Sequence, residues 1–305
     1  QTAEPDVDLQ PPLARAGTFT LLALGVGTLL GSLIPRLFSD LPADGTAVLT
    51  PLSMPLVFSG VLTLVLLALT MLLVKEDLGA GTADWRQGFR QVPSIIRTGV
   101  GLSRQNPTIL LLLGASIASG LALISLESFW QPFFAGLLGG SKDNTLLFGI
   151  IMGGNFLAGM AGNLLATPLS RLLNKRYCLV CAIFQGAWGL SIVLLALQTA
   201  PILANLAFWL AYMNMGIVNS PHSTLLNQEI PSGQRSAMLS IASLASYLGA
   251  MIGGAGLGYV AEQTSIGTAW IMSGAILVVS LLLYLRVDAR RSRVQPTVER
   301  TIIKA

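Results

Sequence analysis

Apolar residues along this chain fall into eight long runs with short polar interruptions between them. The runs lie at about 17–35, 54–74, 108–129, 146–167, 178–198, 201–221, 237–260 and 267–286. Most are close to the ~20 residues an α-helix needs to cross the hydrocarbon of a bilayer. A helix satisfies its own backbone hydrogen bonds in that medium. A membrane β-barrel would alternate apolar and polar positions over segments of about ten residues, and these runs are continuous. The pattern predicts an all-α polytopic membrane protein with eight transmembrane helices.

The interruptions carry the charge. With the N-terminus on the cytoplasmic side, alternate loops place 16 of the 18 lysines and arginines inside, leaving Arg36 and Lys142 outside. Such a bias is what the positive-inside rule predicts, and one mistaken run would scramble it. Both chain ends are then cytoplasmic, and a bacterial inner (plasma) membrane is the expected location. The longest internal interruption divides the chain. Residues 1–74 hold two spans, 75–107 a cytoplasmic loop, 108–286 six spans, and 287–305 a cytoplasmic tail. Within the loop, Trp85, Phe89, Val92 and Ile96 recur at roughly helical spacing beside Arg86, Arg90 and Arg97. This reads as an amphipathic helix on the inner membrane face, with a disordered linker as the alternative.

Composition agrees with the pattern. The chain is 53% hydrophobic and 10% charged, against about 25% charge in soluble domains, and its mean hydropathy is +0.70. The net charge of +4 sits between apolar runs, so the basic partner is the lipid bilayer and not nucleic acid. Two cysteines, Cys178 and Cys181, make no disulfide framework, and one histidine, His222, excludes histidine-pair metal motifs. No P-loop sequence is present, so no ATP engine is read here. No cofactor is expected. The start, "QTAEPDVDLQPPLAR", is acidic and proline-rich and lacks the pattern of a signal peptide. It reads as a loop, and the chain is expected to begin inside a longer protein.

Three features resemble the major facilitator superfamily. "TPLSRLLNKR", residues 167–176, is similar to the degenerate second copy of its signature loop, G-x-L-x-D-R-x-G-R-[RK]. Leu169 keeps the leucine, Lys175 and Arg176 keep the basic pair, and Asn174 replaces the second glycine. Asparagine tolerates the left-handed backbone such a turn needs. Arg171 stands where the acid would be, so a charge relay built on that acid is not carried over. "NQEIPSGQRSAMLSIASLASYLGAMIGGAGLGYVAE", residues 227–262, resembles the tenth-to-eleventh loop and glycine-rich eleventh helix, with Arg235 opening that helix. The arrangement of two spans, a long loop and six spans resembles helices 5–12 of the twelve-helix fold. The resemblance covers about residues 15–286. It implies four further helices before Gln1, a small-molecule substrate bound between two six-helix halves, and the proton as a candidate coupling ion. The first span, "GVGTLLGSLIPRL", lacks the Gly-Pro of the family's antiporter signature.

Several positions invite chemistry. Gly27 and Gly31, and Gly249 and Gly253, form G-x-x-x-G pairs, and Gly154 joins them as a helix-packing candidate. Glu127 is the one acid beside a span core, about 30 Å along the helix from Pro107. Its face reads Ser116, Ser119, Leu123, Glu127, Trp130, Gln131. An ionisable residue in a membrane helix suggests function by default; at that depth a solvated vestibule acid competes with substrate or proton coupling. Trp130 reads as an interface anchor or a binding ring. A second stripe, Asn205, Trp209, Tyr212, Asn219 and Ser223, lies on the sixth span, with Asn214 off that face. The resemblance places both stripes on cavity-lining helices, and with Asn155 they form the substrate-binding candidates. Interhelical hydrogen bonds are the structural alternative, and Asn163 and Gln185 are open to both readings. His222 reads as a loop or interface histidine, with pH sensing as the sharper alternative. Cys178 and Cys181 read as buried structural thiols. The sequence therefore points to a secondary transporter working by alternating access. Its neutral polar candidates suit an uncharged or amphipathic solute such as a drug or metabolite, with efflux as one direction. A non-transporting scaffold or regulatory subunit is the rival class. A membrane-embedded enzyme lacks a catalytic set.

Overall fold

The computed structural model describes residues 10–42, 49–73, 97, 101, 106–139, 145–230 and 235–302. Among these, the regular structure is helical throughout. The helices are α1 (Gln10–Leu37), α2 (Met54–Leu73), α3 (Pro107–Leu137), α4 (Thr145–Leu172), α5 (Tyr177–Ala196), α6 (Pro201–Glu229), α7 (Arg235–Gln263) and α8 (Ile266–Ile302). All eight are long and apolar enough to cross a membrane, as the eight runs predict. Most extend past their apolar run, because nothing in the backbone ends a helix where lipid gives way to water. The amphipathic helix expected within 75–107 falls almost wholly outside the described residues.

Local signals set the helix starts. Asn106 caps α3: its Oδ1 accepts from the Thr108 N–H at 2.9 Å, and Pro107 occupies the first turn. Proline at that position loses no helical hydrogen bond and presets the helical φ. Pro201 opens α6 in the same way.

Helices α3 to α8 pack as one block. α3 lies along α7 and α8, α5 along α8 and α6, and α4 along α6. α1 packs onto α4, while α2 touches chiefly α1 and buries none of its residues. Phe38 and Phe58 form part of that contact, with ring centroids 6.1 Å apart. Leucine, valine and phenylalanine cover the outside of α2, as expected where lipid tails replace water as solvent.

The block has two large apolar cores and a small third cluster of Leu121, Leu257 and Ala269 among the described residues. One large core gathers Trp130, Phe134, Trp188, Phe208, Tyr212 and Trp270. The other gathers Ile109, Leu112, Tyr177, Cys181, Leu225 and Tyr284, next to the end that carries the α4–α5 turn. Both cysteines are free and buried.

Glycine decides where the helices touch. A Cβ on Gly249 would collide with the carbonyl oxygen of Ile117, and one on Gly253 would lie 2.8 Å from that of Leu121. Gly120 meets the Ser246 carbonyl from the other side. Together these clamp α7 against α3. Gly154 faces the indole of Trp209, which fastens α4 to α6. The pair Gly27 and Gly31 departs from the sequence reading. A Cβ on either would meet nothing within 4 Å. The α1 contact with α4 uses the next face round, where a Cβ on Gly25 would lie 3.3 Å from the Gly153 carbonyl oxygen. The spacing of the motif is right, but that side of α1 faces away from the described helices.

Candidate functional site

A cavity of about 410 Å³ opens inside the six-helix block. α3 contributes Ser116, Ser119 and Leu123, and α6 contributes Met215, Asn219, His222 and Ser223. α7 closes it with Ser243 and Ser246, which the glycine clamp holds against α3. Trp188 of α5 and Tyr284 of α8 complete the wall. These positions share faces because α3 presents Ser116, Ser119 and Leu123, and α6 presents Asn219, His222, Ser223 and Leu226, at three- and four-residue spacing.

His222 organises the wall. Its Nδ1 lies 2.9 Å from the Tyr284 hydroxyl and its Nε2 lies 3.0 Å from Ser116 Oγ. Ser116 Oγ also donates to the Leu112 carbonyl at 3.2 Å. That spends the serine proton, so Ser116 accepts from His222 Nε2–H. Nδ1 must then accept from Tyr284 O–H. The network assigns one neutral tautomer and leaves neither ring nitrogen spare. A second group lies beside it. Gln185 Nε2 donates to Ser119 Oγ and to Ser280 Oγ, both at 3.1 Å. Ser116 and Ser119 are thus positioned by side chains behind them.

The charged end of the block is tied separately. Glu229 at the end of α6 accepts from Asn106 Nδ2 at 3.0 Å and from Arg291 at 2.7 Å. Arg291 of α8 also donates to Gln228 Oε1 at 3.0 Å. Arg176, before α5, pairs with Asp288 of α8 at 2.7 Å. The Glu229 carboxylate is the more enclosed and joins three helices. Glu229→Ala is expected to cost about 1–2 kcal/mol, because it strands a partly buried guanidinium and an amide. Asp288→Ala is expected to cost under about 1 kcal/mol, since its arginine partner is largely exposed. Thermal unfolding in detergent, followed by thiol-reactive dye at Cys178 and Cys181, ranks the two; equal shifts would overturn the ordering.

The α4–α5 turn has the backbone its sequence suggests. Asn174 has φ 52° and Lys175 φ 58°. The Lys175 N–H closes back on the Ser170 carbonyl at 2.7 Å, satisfying one of the carbonyls a helix end leaves open. Leu169 and Arg171 belong to the last turn of α4.

The structure brings some sequence candidates together and scatters others. Ser116, Ser119 and Asn219 line the cavity. Glu127 lies one turn beyond Leu123, exposed and outside the lining, and Gln131 is likewise exposed. Trp130 is neither interface anchor nor cavity ring: it is buried, stacked on Phe208 at 6.2 Å and set edge-on to Phe148 at 5.7 Å. Trp209 bonds the Ile151 carbonyl at 2.9 Å and so holds α6 to α4. Tyr212 is in the core; its hydroxyl faces Asn155 without reaching hydrogen-bond geometry. Asn205 is half-buried, its Oδ1 without a partner among the described residues. Asn214, off the stripe, bonds Ser191 Oγ of α5 at 3.2 Å.

His222 is the main correction. It lies inside α6 and not in a loop, but at an interface with α3 and α8, the other half of the sequence reading. Its three-residue spacing from Asn219 was the available signal, masked by Pro221 beside it. Trp188, Ser243, Ser246 and Tyr284 were not singled out; the available signal for the two serines was the three-residue spacing of Ser240, Ser243 and Ser246.

Two comparisons bear on identity. A search of curated proteins finds no match. The family model described as Major Facilitator Superfamily matches residues 10–253, from the start of α1 into α7. That match spans most of the chain and agrees with eight helices long and apolar enough to cross a membrane, and the chain belongs to the Major Facilitator Superfamily of membrane transporters.

Proposed function

We propose that this protein is a secondary active transporter that carries a small solute by alternating access, with the proton as its coupling ion. In this reading the Arg171–Arg176 turn, the Glu229–Arg291 contact and both ends of the chain face the cytoplasm of a bacterial-type inner membrane. The observation that carries the proposal is the hydroxyl-rich cavity enclosed by α3, α6 and α7. A scaffold has no use for such a space in the middle of its helices. The glycine contacts of α7 on α3 hold this half together as one body, as rocking of one half against the other requires.

The test needs no substrate. A cysteine replacing Ser223, on the cavity wall, is labelled with an impermeant thiol reagent in right-side-out and inside-out vesicles of the complete gene product. Alternating access is expected to expose it to both sides. Reaction from one side only would overturn the proposal and favour a static scaffold. A second cysteine at Arg171 reports orientation, and is expected to react from the cytoplasmic side alone.

Glu127 addresses the coupling. Lying outside the cavity lining and exposed, it reads as a vestibule acid. Glu127→Gln is expected to leave gradient-driven transport within about twofold of the parent, as for a solvated surface group. Loss of gradient-driven accumulation with exchange retained would instead give Glu127 the coupling proton.

A further inference from the structure

We propose that the cavity between α3, α6 and α7 selects an uncharged, amphipathic solute bearing hydroxyl or carbonyl groups; this rests on the transporter reading above and narrows it to a substrate class. The size comes first. About 410 Å³ lies within the range of small-molecule pockets, roughly 300–1,000 Å³, and accommodates one metabolite-sized molecule.

Charge decides the class. Among the described residues, no acidic or basic side chain other than His222 lines the cavity. An ion taken from water into such a space needs a partner of opposite charge, or it forfeits much of its hydration energy. On α3, Glu127 lies a turn past Leu123 and outside the lining. On α6 and α8, Glu229, one turn beyond Leu226 and outside the lining, is already paired to Arg291. On α5, the wall residue is Trp188, and Gln185 behind Ser119 is neutral. His222 offers no charge either. Both its nitrogens are engaged, at 2.9 Å and 3.0 Å. Taking a second proton to meet an anion would break the bond that Tyr284 donates.

The unspent hydrogen bonds decide the functional groups. The Asn219 carboxamide and the Ser223 and Ser246 hydroxyls have no partner among the described residues. Ser119 Oγ already accepts from Gln185, which leaves its proton to donate. These groups both give and take, so they match hydroxyls, carbonyls and amides. Leu123, Met215 and Val218 form the apolar wall between them. A purely polar solute would leave that wall uncovered, and a purely apolar one would leave the hydroxyls unpaired.

The experiment is equilibrium binding to the complete gene product in nanodiscs with four radiolabelled probes. Two are uncharged amphiphiles of different shape, chloramphenicol and phenyl β-glucoside. Tetraphenylphosphonium is the cation and salicylate the anion. At least one uncharged probe is expected to bind, the two ions at least about tenfold more weakly, and the combined S119V and S223A variant to weaken the uncharged probe about tenfold. Binding of an ion in preference to both uncharged probes would overturn the substrate class while leaving the transporter reading intact. Binding of none would overturn the class as well. Labelling of the Ser223→Cys protein from each side of sealed vesicles, as described above, then tells whether the transporter reading falls with it.

Discussion

Replacing Gly249 by leucine is expected to lower the melting temperature by about 10 °C, the equivalent of roughly 3 kcal/mol for a chain of this size. The glycine of α7 lies on the backbone carbonyl of Ile117 in α3. A side-chain tip could rotate away, but a helix carbonyl cannot, so α7 must move off α3. In lipid no hydrophobic force compensates, because lipid tails are as apolar as leucine and helix association relies on close packing. Overpacking usually costs about 1–3 kcal/mol, and backbone against backbone belongs at the upper end. Gly253, 2.8 Å from the Leu121 carbonyl, and Gly120, on Ser246, are in the same seam and would part with it. Cys178 and Cys181 supply the readout: both are buried and free, so a thiol-reactive dye reports unfolding directly. Gly27→Ala is the contrast, expected within about 0.5 kcal/mol of the parent because its Cβ meets nothing. Equal melting temperatures for Gly249→Leu and the parent would mean that the α3–α7 seam is not packed as described.

The second large effect is at His222. His222→Ala is expected to destabilise by about 2 kcal/mol. It leaves the Tyr284 hydroxyl, on a residue only 1% exposed, without the acceptor it has at 2.9 Å. A stranded buried donor costs about 1–3 kcal/mol. Tyr284→Phe is expected to cost less, since it removes the donor along with its need for an acceptor and strands only a nitrogen lone pair. The double variant is expected to cost less than the sum of the singles, by about 0.5–3 kcal/mol, the coupling usual for residues in one network. Additive costs would show that the two side chains do not depend on each other. The same variants should change what the cavity binds, because His222 and Tyr284 form its wall.

The Trp130 result shows where sequence reasoning stops. A tryptophan near the end of an apolar run looks like an interface anchor, and its own helix contains nothing to contradict that. Only Phe148 of α4 and Phe208 of α6, folded against it, place it in a core. The two G-x-x-x-G pairs make the same point from the other side. Gly27 and Gly31 share the spacing of Gly249 and Gly253, yet only the second pair meets another of the described helices. In a soluble protein the buried face of a helix differs from the wet face, and periodicity reveals it. In a membrane protein both faces are apolar, so the pattern marks the helix without marking its partner.

What the sequence determined by itself was therefore whatever depends on length and polarity along one chain. Eight runs long enough to span lipid had to become helices, since unpaired backbone groups are not tolerated there. The left-handed turn at Asn174 was legible because its cause is local. So were the buried thiols of Cys178 and Cys181, which open an apolar helix. The polar stripe of α3 from Ser116 to Ser119, and Asn219 on α6, were visible as neutral groups that an apolar helix would otherwise exclude. The tertiary structure alone decided which of these groups share a space. It set Tyr284 of α8 against His222 of α6, brought the serines of α7 over those of α3 by way of Gly249, and left Glu127 outside. Those outcomes rest on contacts between residues about 60–130 positions apart. Such contacts are set by the shape complementarity of packed helices, which no periodicity within a single helix encodes.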